Sequence, residues 1–399
     1  MHPLRTRAPA PVEQPRCGPA GARSLEAGGK LPPRFGDIEL IPAGTASALT
    51  DDLLRCLLLP IDSGAIATPT DGRWLFLRAR TGIPVQALDR TRLDCEQGFK
   101  PFADALLRDG FEVATDHPSR YPLVLALPPR QREEARALLA NALARVVPGG
   151  TLVAAMANAE GARSGEADLA RLAGPVRSLS KHKCRVFWVQ PTADTVDAAL
   201  RETWAALDAP RPIADGRFVS RPGLFAWDRI DPASALLAAR LPDDLHGRGA
   251  DLGAGWGFLA HEVLTRCPAV TAMDLFEAQS RALELARINL ASLTERAALG
   301  FHWHDVTTGI GTGYDFIVTN PPFHIDRYDQ PGLGRAFIAV AGQALRPGGR
   351  LFLVANRHLP YEAALGEGFG EVRTLVQSGG FKVIEAVKGR AGVRSRRGE

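Results

Sequence analysis

This sequence of 399 residues predicts two tandem α/β domains, each built on an open and mostly parallel sheet. Three observations predict it. The chain is too long for one ordinary hydrophobic core. A plan recurs along it: Leu127-Pro-Pro-Arg130, a helical pattern over 133–147, Pro148-Gly-Gly150 and the strand Leu152-Val-Ala-Ala-Met-Ala-Asn158. Its counterpart is Asn320-Pro-Pro-Phe323, a helical pattern to Leu345, Pro347-Gly-Gly349 and the strand Leu351-Phe-Leu-Val-Ala-Asn356, and both copies end in a Lys-containing strand, near Lys183-Cys-Arg-Val-Phe-Trp188 and Phe381-Lys-Val-Ile384. In the second copy, residues able to do chemistry stand in turn at the C-terminal ends of strands, where open α/β sheets bind ligands.

Composition bounds what surrounds these domains. Hydrophobic residues make up 45% and charged residues 23%, and no run approaches the eighteen or more apolar residues of a membrane span. Cys17, Cys56, Cys95, Cys184 and Cys267 form no C-x-x-C pair, so neither a zinc knuckle nor a disulfide framework is indicated, and a reducing cytoplasm is expected. The first thirty-five residues are rich in Pro, Ala, Gly and Arg and read as a disordered basic extension, in which the prolines at 3, 9, 11, 15 and 19 argue against an amphipathic targeting helix. The tail from Lys388 to Arg397 is basic too. Much of the net charge of +4 therefore sits at the two ends, which suits a polyanionic partner.

The second copy opens with Arg248-Gly-Ala-Asp251-Leu-Gly253-Ala-Gly255-Trp-Gly257, a strand running into a glycine loop that lets backbone approach a ligand. Its G-x-G-x-G spacing is not the dinucleotide fingerprint, and no Gly-Lys-Ser/Thr marks a phosphate loop. The strand Ala269-Val-Thr-Ala-Met273 ends on Asp274, at the distance where an acid accepts both hydroxyls of an adenosine ribose. Asp305 closes the strand Phe301-His-Trp-His and can accept from an adenine amine. Asn320-Pro321-Pro322-Phe323 then follows an apolar strand. The two prolines fix φ and press Asn320 toward extended geometry, holding its side chain and the nearby carbonyls outward to accept from an –NH2 group, with Phe323 placed to stack on a flat base. In isolation Asn-Pro-Pro is a strand-ending turn; the upstream loop and acids give it its functional reading.

This order of motifs resembles the class I S-adenosylmethionine-dependent methyltransferases. Asn320-Pro-Pro-Phe-His324, with Leu345-Arg-Pro-Gly-Gly349, Leu353-Val-Ala-Asn356 and Gly379-Gly-Phe-Lys382, resembles the bacterial small-subunit ribosomal RNA guanine-N2 methyltransferases over about 180 residues. The resemblance implies two tandem Rossmann-like methyltransferase domains, the N-terminal copy degenerate: 1–35 extension, 36–207 degenerate domain, 208–217 linker, 218–388 catalytic domain and 389–399 basic tail. It implies S-adenosylmethionine held by Asp251, Gly253, Gly255, Asp274 and Asp305, catalysis by Asn320, Pro321 and Phe323, and substrate contact by Pro322 and His324, with no metal. His324 reads equally as an RNA contact or as a structural hydrogen bonder in the turn. The implied partner is ribosomal RNA within the small subunit, met by a monomer that involves no membrane. Trp256 and Phe258 depart from the pattern by their bulk.

The first copy has Leu127 in place of Asn320, Arg130 in place of Phe323, and one glycine where the cofactor loop needs several. Its expected role is to position RNA through Arg130, Arg132, Arg163, Lys181, Lys183 and Arg185, or simply to pack, and its removal is expected to spare cofactor binding. Three other readings stay open: a large-subunit guanine, a protein glutamine amide, and a ribosome-assembly module without catalysis. Against the second stands Phe323, where such enzymes carry Tyr.

Overall fold

A computed structural model describes residues 43–117, 119–322, 324–325, 328–329 and 331–389. The 1–35 extension, Phe323, and all of the 389–399 tail except Gly389 lie outside the described residues.

The first half runs α1 (Ala43–Asp62), β1 (Trp74–Leu77), α2 (Ile83–Gln86), β2 (Leu93–Glu96), α3 (Lys100–Arg108), β3 (Glu112–Ala114), β4 (Tyr121–Ala126), α4 (Arg132–Ala144), β5 (Val146–Ala157), α5 (Ala162–Ala173), β6 (Arg177–Lys181), β7 (Cys184–Val189) and α6 (Ala198–Ala205). A hairpin of β8 (Arg211–Ile213) and β9 (Phe218–Ser220) follows, so the segment read as a linker supplies one strand of a paired ribbon. The second half runs α7 (Pro232–Ala238), β10 (Gly247–Leu252), α8 (Phe258–Arg266), β11 (Val270–Glu277), α9 (Ser280–Asn289), β12 (Ala298–Trp303), β13 (Tyr314–Thr319), β14 (His324–Ile325), β15 (Tyr328–Asp329), α10 (Pro331–Ala344), β16 (Leu345–Asn356), α11 (Glu362–Gly368), β17 (Glu371–Ser378) and β18 (Phe381–Val387).

Both halves build a seven-stranded sheet of one topology: β3-β2-β1-β4-β5-β7-β6 and β12-β11-β10-β13-β16-β18-β17. In each, five strands are parallel and the sixth and seventh pair antiparallel. The long strands β5 and β16 begin before their Pro-Gly-Gly turns rather than after them, and each shifts register there against its neighbour. A shared irregularity at the same place supports the reading of two copies. Parallel strands covered on both faces read as apolar runs, and alternate residues feed separate cores: Phe316 and Val318 belong to one cluster, Ile317 to another. No helix among the described residues is long and apolar enough to cross a membrane.

The strand expected to end at Asp274 continues to Glu277, because Leu275 and Phe276 extend its apolar run and its pairing with β10 and β12. That correction moves the end of β11 by three residues, about 10 Å along a strand.

Candidate active site

β10 delivers Asp251 fully buried beneath the glycine loop, where its Oδ2 accepts from Ala260 N at 3.1 Å. Its Oδ1 has no partner among the described residues. Burial pushes the Asp251 carboxyl up to about 8, against the lowering effect of the Ala260 amide and with a further push from Glu277. The loop beyond needs glycine: Gly253, Gly255 and Gly257 take φ of 72°, 56° and 92°. A Cβ at Gly255 would enter open space, so the backbone there forms the wall of a cleft that a ligand can approach. Trp256 and Phe258 fit beside it because Phe218 of β9 packs on both, at ring separations of 5.0 and 5.9 Å.

Glu277 is the acid at the end of β11. Its Oε2 accepts from Gly255 N at 2.7 Å and its Oε1 from Gln279 N at 2.7 Å. A carboxylate offers about four acceptor sites, so these bonds leave acceptor capacity that a ribose hydroxyl can use. Burial raises the Glu277 carboxyl above its ordinary value, while hydrogen bonds from Gln279, Gly255 and Ala278 oppose the shift.

Asp274 is elsewhere. It lies mid-strand, with Oδ2 accepting from Arg248 Nη2 at 2.6 Å and Tyr314 Oη at 3.0 Å, and with Oδ1 at 2.9 Å from His302 Nε2. Burial would raise its carboxyl, yet the bonds from His302, Arg248 and Tyr314 hold it below the usual value. A carboxylate so occupied is a structural anchor, set three residues before the strand end at which the ribose acid is expected. Asp305 stands two residues past β12 and caps the turn Val306–Thr308, with Oδ1 accepting from Thr307 N at 2.9 Å.

β13 carries Asn320 to the same cleft. Thr319 Oγ donates to Leu252 O at 2.7 Å, tying the ends of β13 and β10 together just before it. Asn320 Nδ2 donates to Asp231 Oδ2 at 3.0 Å and to Ser234 Oγ at 2.9 Å. A carboxylate only accepts, so the amide cannot be reversed, and Asn320 Oδ1 is left as a buried acceptor with no partner among the described residues. Pro321 is buried and Pro322 exposed; Phe323 and the side chain of His324 lie outside the described residues. The cleft is lined by Asn320, Asp231, Gly253, Gly255, Phe225 and Trp256.

The structure thus brings Asn320 together with the glycine loop, attaches Glu277 to that loop through Gly255, and leaves Asp274 out. Glu277, Asp231 and Ser234 were missed as site residues. Leu275-Phe276 preceding Glu277 was the available signal for one, and Asp231-Pro-Ala-Ser234, an acid cap with proline in the first turn, for the others. Of the six basic residues expected to face phosphate, Arg132 and Arg185 are paired with Asp168 and Glu166, and Arg130, Arg132, Arg163, Lys181 and Lys183 are exposed.

A buried open acceptor, a glycine wall where a Cβ would occupy ligand space, and a half-filled acid fit a nucleoside-containing cofactor beside an amine. Residues 215–385 match the family model described as "Methyltransferase small domain". A "Ribosomal RNA small subunit methyltransferase C" from Pseudomonas paraeruginosa is 33% identical over 265 residues, covering 65% of this chain and 76% of that protein. The protein of that name from Psychromonas ingrahamii is 26% identical over 315 residues, covering 76% and 88%. The T. Thermophilus 16S rRNA N2 methyltransferase solved in complex with AdoMet and guanosine shares the fold, with a TM-score of 0.69 at 24% identity over 86% of this chain and 93% of that one.

Proposed function

We propose, since this chain belongs to the ribosomal RNA small subunit methyltransferase C family, that it transfers a methyl group from S-adenosylmethionine to the exocyclic N2 of a guanine in small-subunit ribosomal RNA. The observation that carries this reading is the fixed Asn320 amide, which lines the cleft walled by Gly253 and Gly255 and whose buried Oδ1 has no partner among the described residues. Glu277, rather than Asp274, takes the ribose hydroxyls, Asp305 lies at the adenine end, and Asp251 braces the loop from below. The bound cofactor supplies a methyl group on a sulfonium, already electrophilic enough that the protein's task is geometry and electrostatics.

Guanine N2 is a poor nucleophile because its lone pair is shared with the ring. Asn320 Oδ1 and the Pro321 carbonyl accept its two N–H bonds, turn the lone pair out of conjugation and stabilise the positive charge that grows on nitrogen as the new N–C bond forms. Fixing the amine in line is worth on the order of 7–11 kcal/mol of barrier. The methylated nitrogen then loses its proton to water, with no tuned base required. Phe323 stacks on the base, and a guanine that is paired must first leave its helix to reach it. Lys181 and Lys183, at the exposed β6–β7 turn, with Arg130 and Arg163, hold RNA phosphate without reading sequence.

Tritiated S-adenosylmethionine with unmodified small-subunit particles, followed by nucleoside analysis, tests the reading. Label is expected in N2-methylguanosine and is lost in Asn320→Ala. Label confined to large-subunit RNA would move the substrate, and label in protein would overturn the guanine reading.

A further inference from the structure

The two halves meet at equivalent corners. After β2 the chain turns through Gly98, Phe99 and Lys100; after β11 it turns through Ala278, Gln279 and Ser280. Lys100 N donates to Ala278 O at 2.8 Å and Ser280 N to Gly98 O at 2.8 Å, closing an antiparallel bridge between Phe99 and Gln279. Trp303 Nε1 donates to both carbonyls of the bridge, Gly98 O at 3.0 Å and Ala278 O at 2.8 Å, with Lys100 Nζ 5.1 Å from the centre of its ring.

The correspondence extends into the sites. Ala79 N donates to Glu96 O as Ala254 N donates to Phe276 O, which sets Gln97 in the first half opposite Glu277 in the second. Gln97 Oε1 accepts from Phe99 N at 2.8 Å, as Glu277 Oε1 accepts from Gln279 N. The other end of Gln97 is spent within the first half, donating to Ala79 O at 2.6 Å, and Arg78 occupies the left-handed position held by Gly253 in the second. The first copy has closed its own site and presents the outer side of that corner to the working one.

We propose that the Gly98–Lys100 corner of the first half is a positioning element for Glu277, so that recognition of the cofactor ribose depends on the first half. The proposal rests on the reading of Glu277 as the ribose acid. The Glu277 carboxylate is aimed by the Gln279 amide, and Gln279 lies between the two residues whose backbone groups Lys100 and Gly98 hold. Cofactor binding is then not confined to the second half, contrary to what the sequence alone suggested.

The test is calorimetric binding of S-adenosylhomocysteine and of its 2′,3′-dideoxy analogue to the full chain. Lys100→Pro removes the N–H that reaches Ala278 O at a position that tolerates proline, because it is the first helical residue and Phe99 before it is extended, at φ −99° and ψ 112°. Lys100→Ala, which keeps that N–H, is its reference. Lys100→Pro should weaken S-adenosylhomocysteine about five- to tenfold, as for one lost hydrogen bond, and leave the dideoxy analogue unmoved. Gly98→Val, whose Cβ would come within 2.8 Å of Ser280 Oγ, should do the same and serves if the proline variant misfolds. Equal losses for both ligands, or none in either variant, would overturn the positioning role. A wild type indifferent to the ribose hydroxyls, or a preference that survives in Glu277→Gln, would remove the ribose assignment and the proposal with it.

Discussion

Asp231 Oδ2 accepts from Asn320 Nδ2 at 3.0 Å while accepting from Ser234 N at 2.8 Å, so one carboxylate oxygen both starts α7 and fixes the amide of the cleft. Helix start and site geometry are therefore one interaction. Replacing Asp231 with Ala frees the Asn320 amide to rotate and removes the cap. Turnover should fall about 10- to 100-fold, toward the 10²–10³ cost of losing a transition-state hydrogen bond outright, while stability falls by only about 1 kcal/mol. Ser234→Ala, which spares the carboxylate, should cost less turnover. Single-turnover methylation beside urea unfolding separates the two effects, and a turnover loss no larger than the stability loss explains would refute the orienting role.

The two acids of β11 should behave oppositely. Glu277→Gln should lower affinity for S-adenosylhomocysteine by about 10- to 100-fold, as hydrogen bonds to a charged acceptor are lost, with little change in stability. Asp274→Ala strands Tyr314 Oη and Arg248 and should cost about 1–3 kcal/mol of stability, leaving affinity within about twofold. If Asp274→Ala abolishes binding in a protein that remains folded, the assignment made from the sequence was right and the structural one wrong.

The parts of the site that sequence made legible are those whose chemistry is local. Asn320-Pro-Pro fixes its own turn, and Gly253 and Gly255 announce the left-handed backbone they adopt. The end of β11 was misjudged because an acid after the five apolar or small residues Ala269–Met273 resembles a boundary. Asp274 stays inside the strand since Arg248, Tyr314 and His302, from the neighbouring strands or beside them, supply donors that no local window contains. The same holds for Gly98 and Ser280. Each is an ordinary corner residue until the fold sets the two corners against each other.

Asp251 gives the protein a pH dependence with a definite sign. Its folded-state value is raised to about 8, from an unfolded value of about 4, so the native state binds the proton more tightly. The stability this contributes is complete below about pH 4 and is lost as pH rises toward 8, where the buried carboxylate ionises. Asp251→Asn cannot ionise there. Its thermal midpoint should decline less between pH 5 and pH 8 than that of the wild type, whatever the absolute cost of a buried amide. Parallel declines in the two proteins would show that Asp251 is not the titrating group.

Glu134 is the charged hub between the halves. From α4 of the first half, its Oε1 accepts from Arg281 of the second half at 2.6 Å and from Arg78 at 2.8 Å. Arg281 also pairs with Asp208 and donates to Pro222 O at 3.2 Å. The hub is enclosed, with Glu134 8% exposed, and Gly223 keeps the space for it, since a Cβ there would lie 2.0 Å from Glu134 Oε2. Removing the acid takes a partner from both guanidinium groups, but Arg281 keeps Asp208 and Pro222 O, and Arg78, whose side chain is 34% exposed, can reach water. Glu134→Ala should therefore cost about 1–3 kcal/mol, the range for hydrogen bonds to charged groups, below the cost of stranding a fully buried charge. Glu112→Ala removes a partner of Arg73 whose own side chain is 75% exposed, and should cost at most about 1 kcal/mol. Urea unfolding of both variants decides it, and similar small losses would show that the halves are held by their apolar and backbone contacts alone.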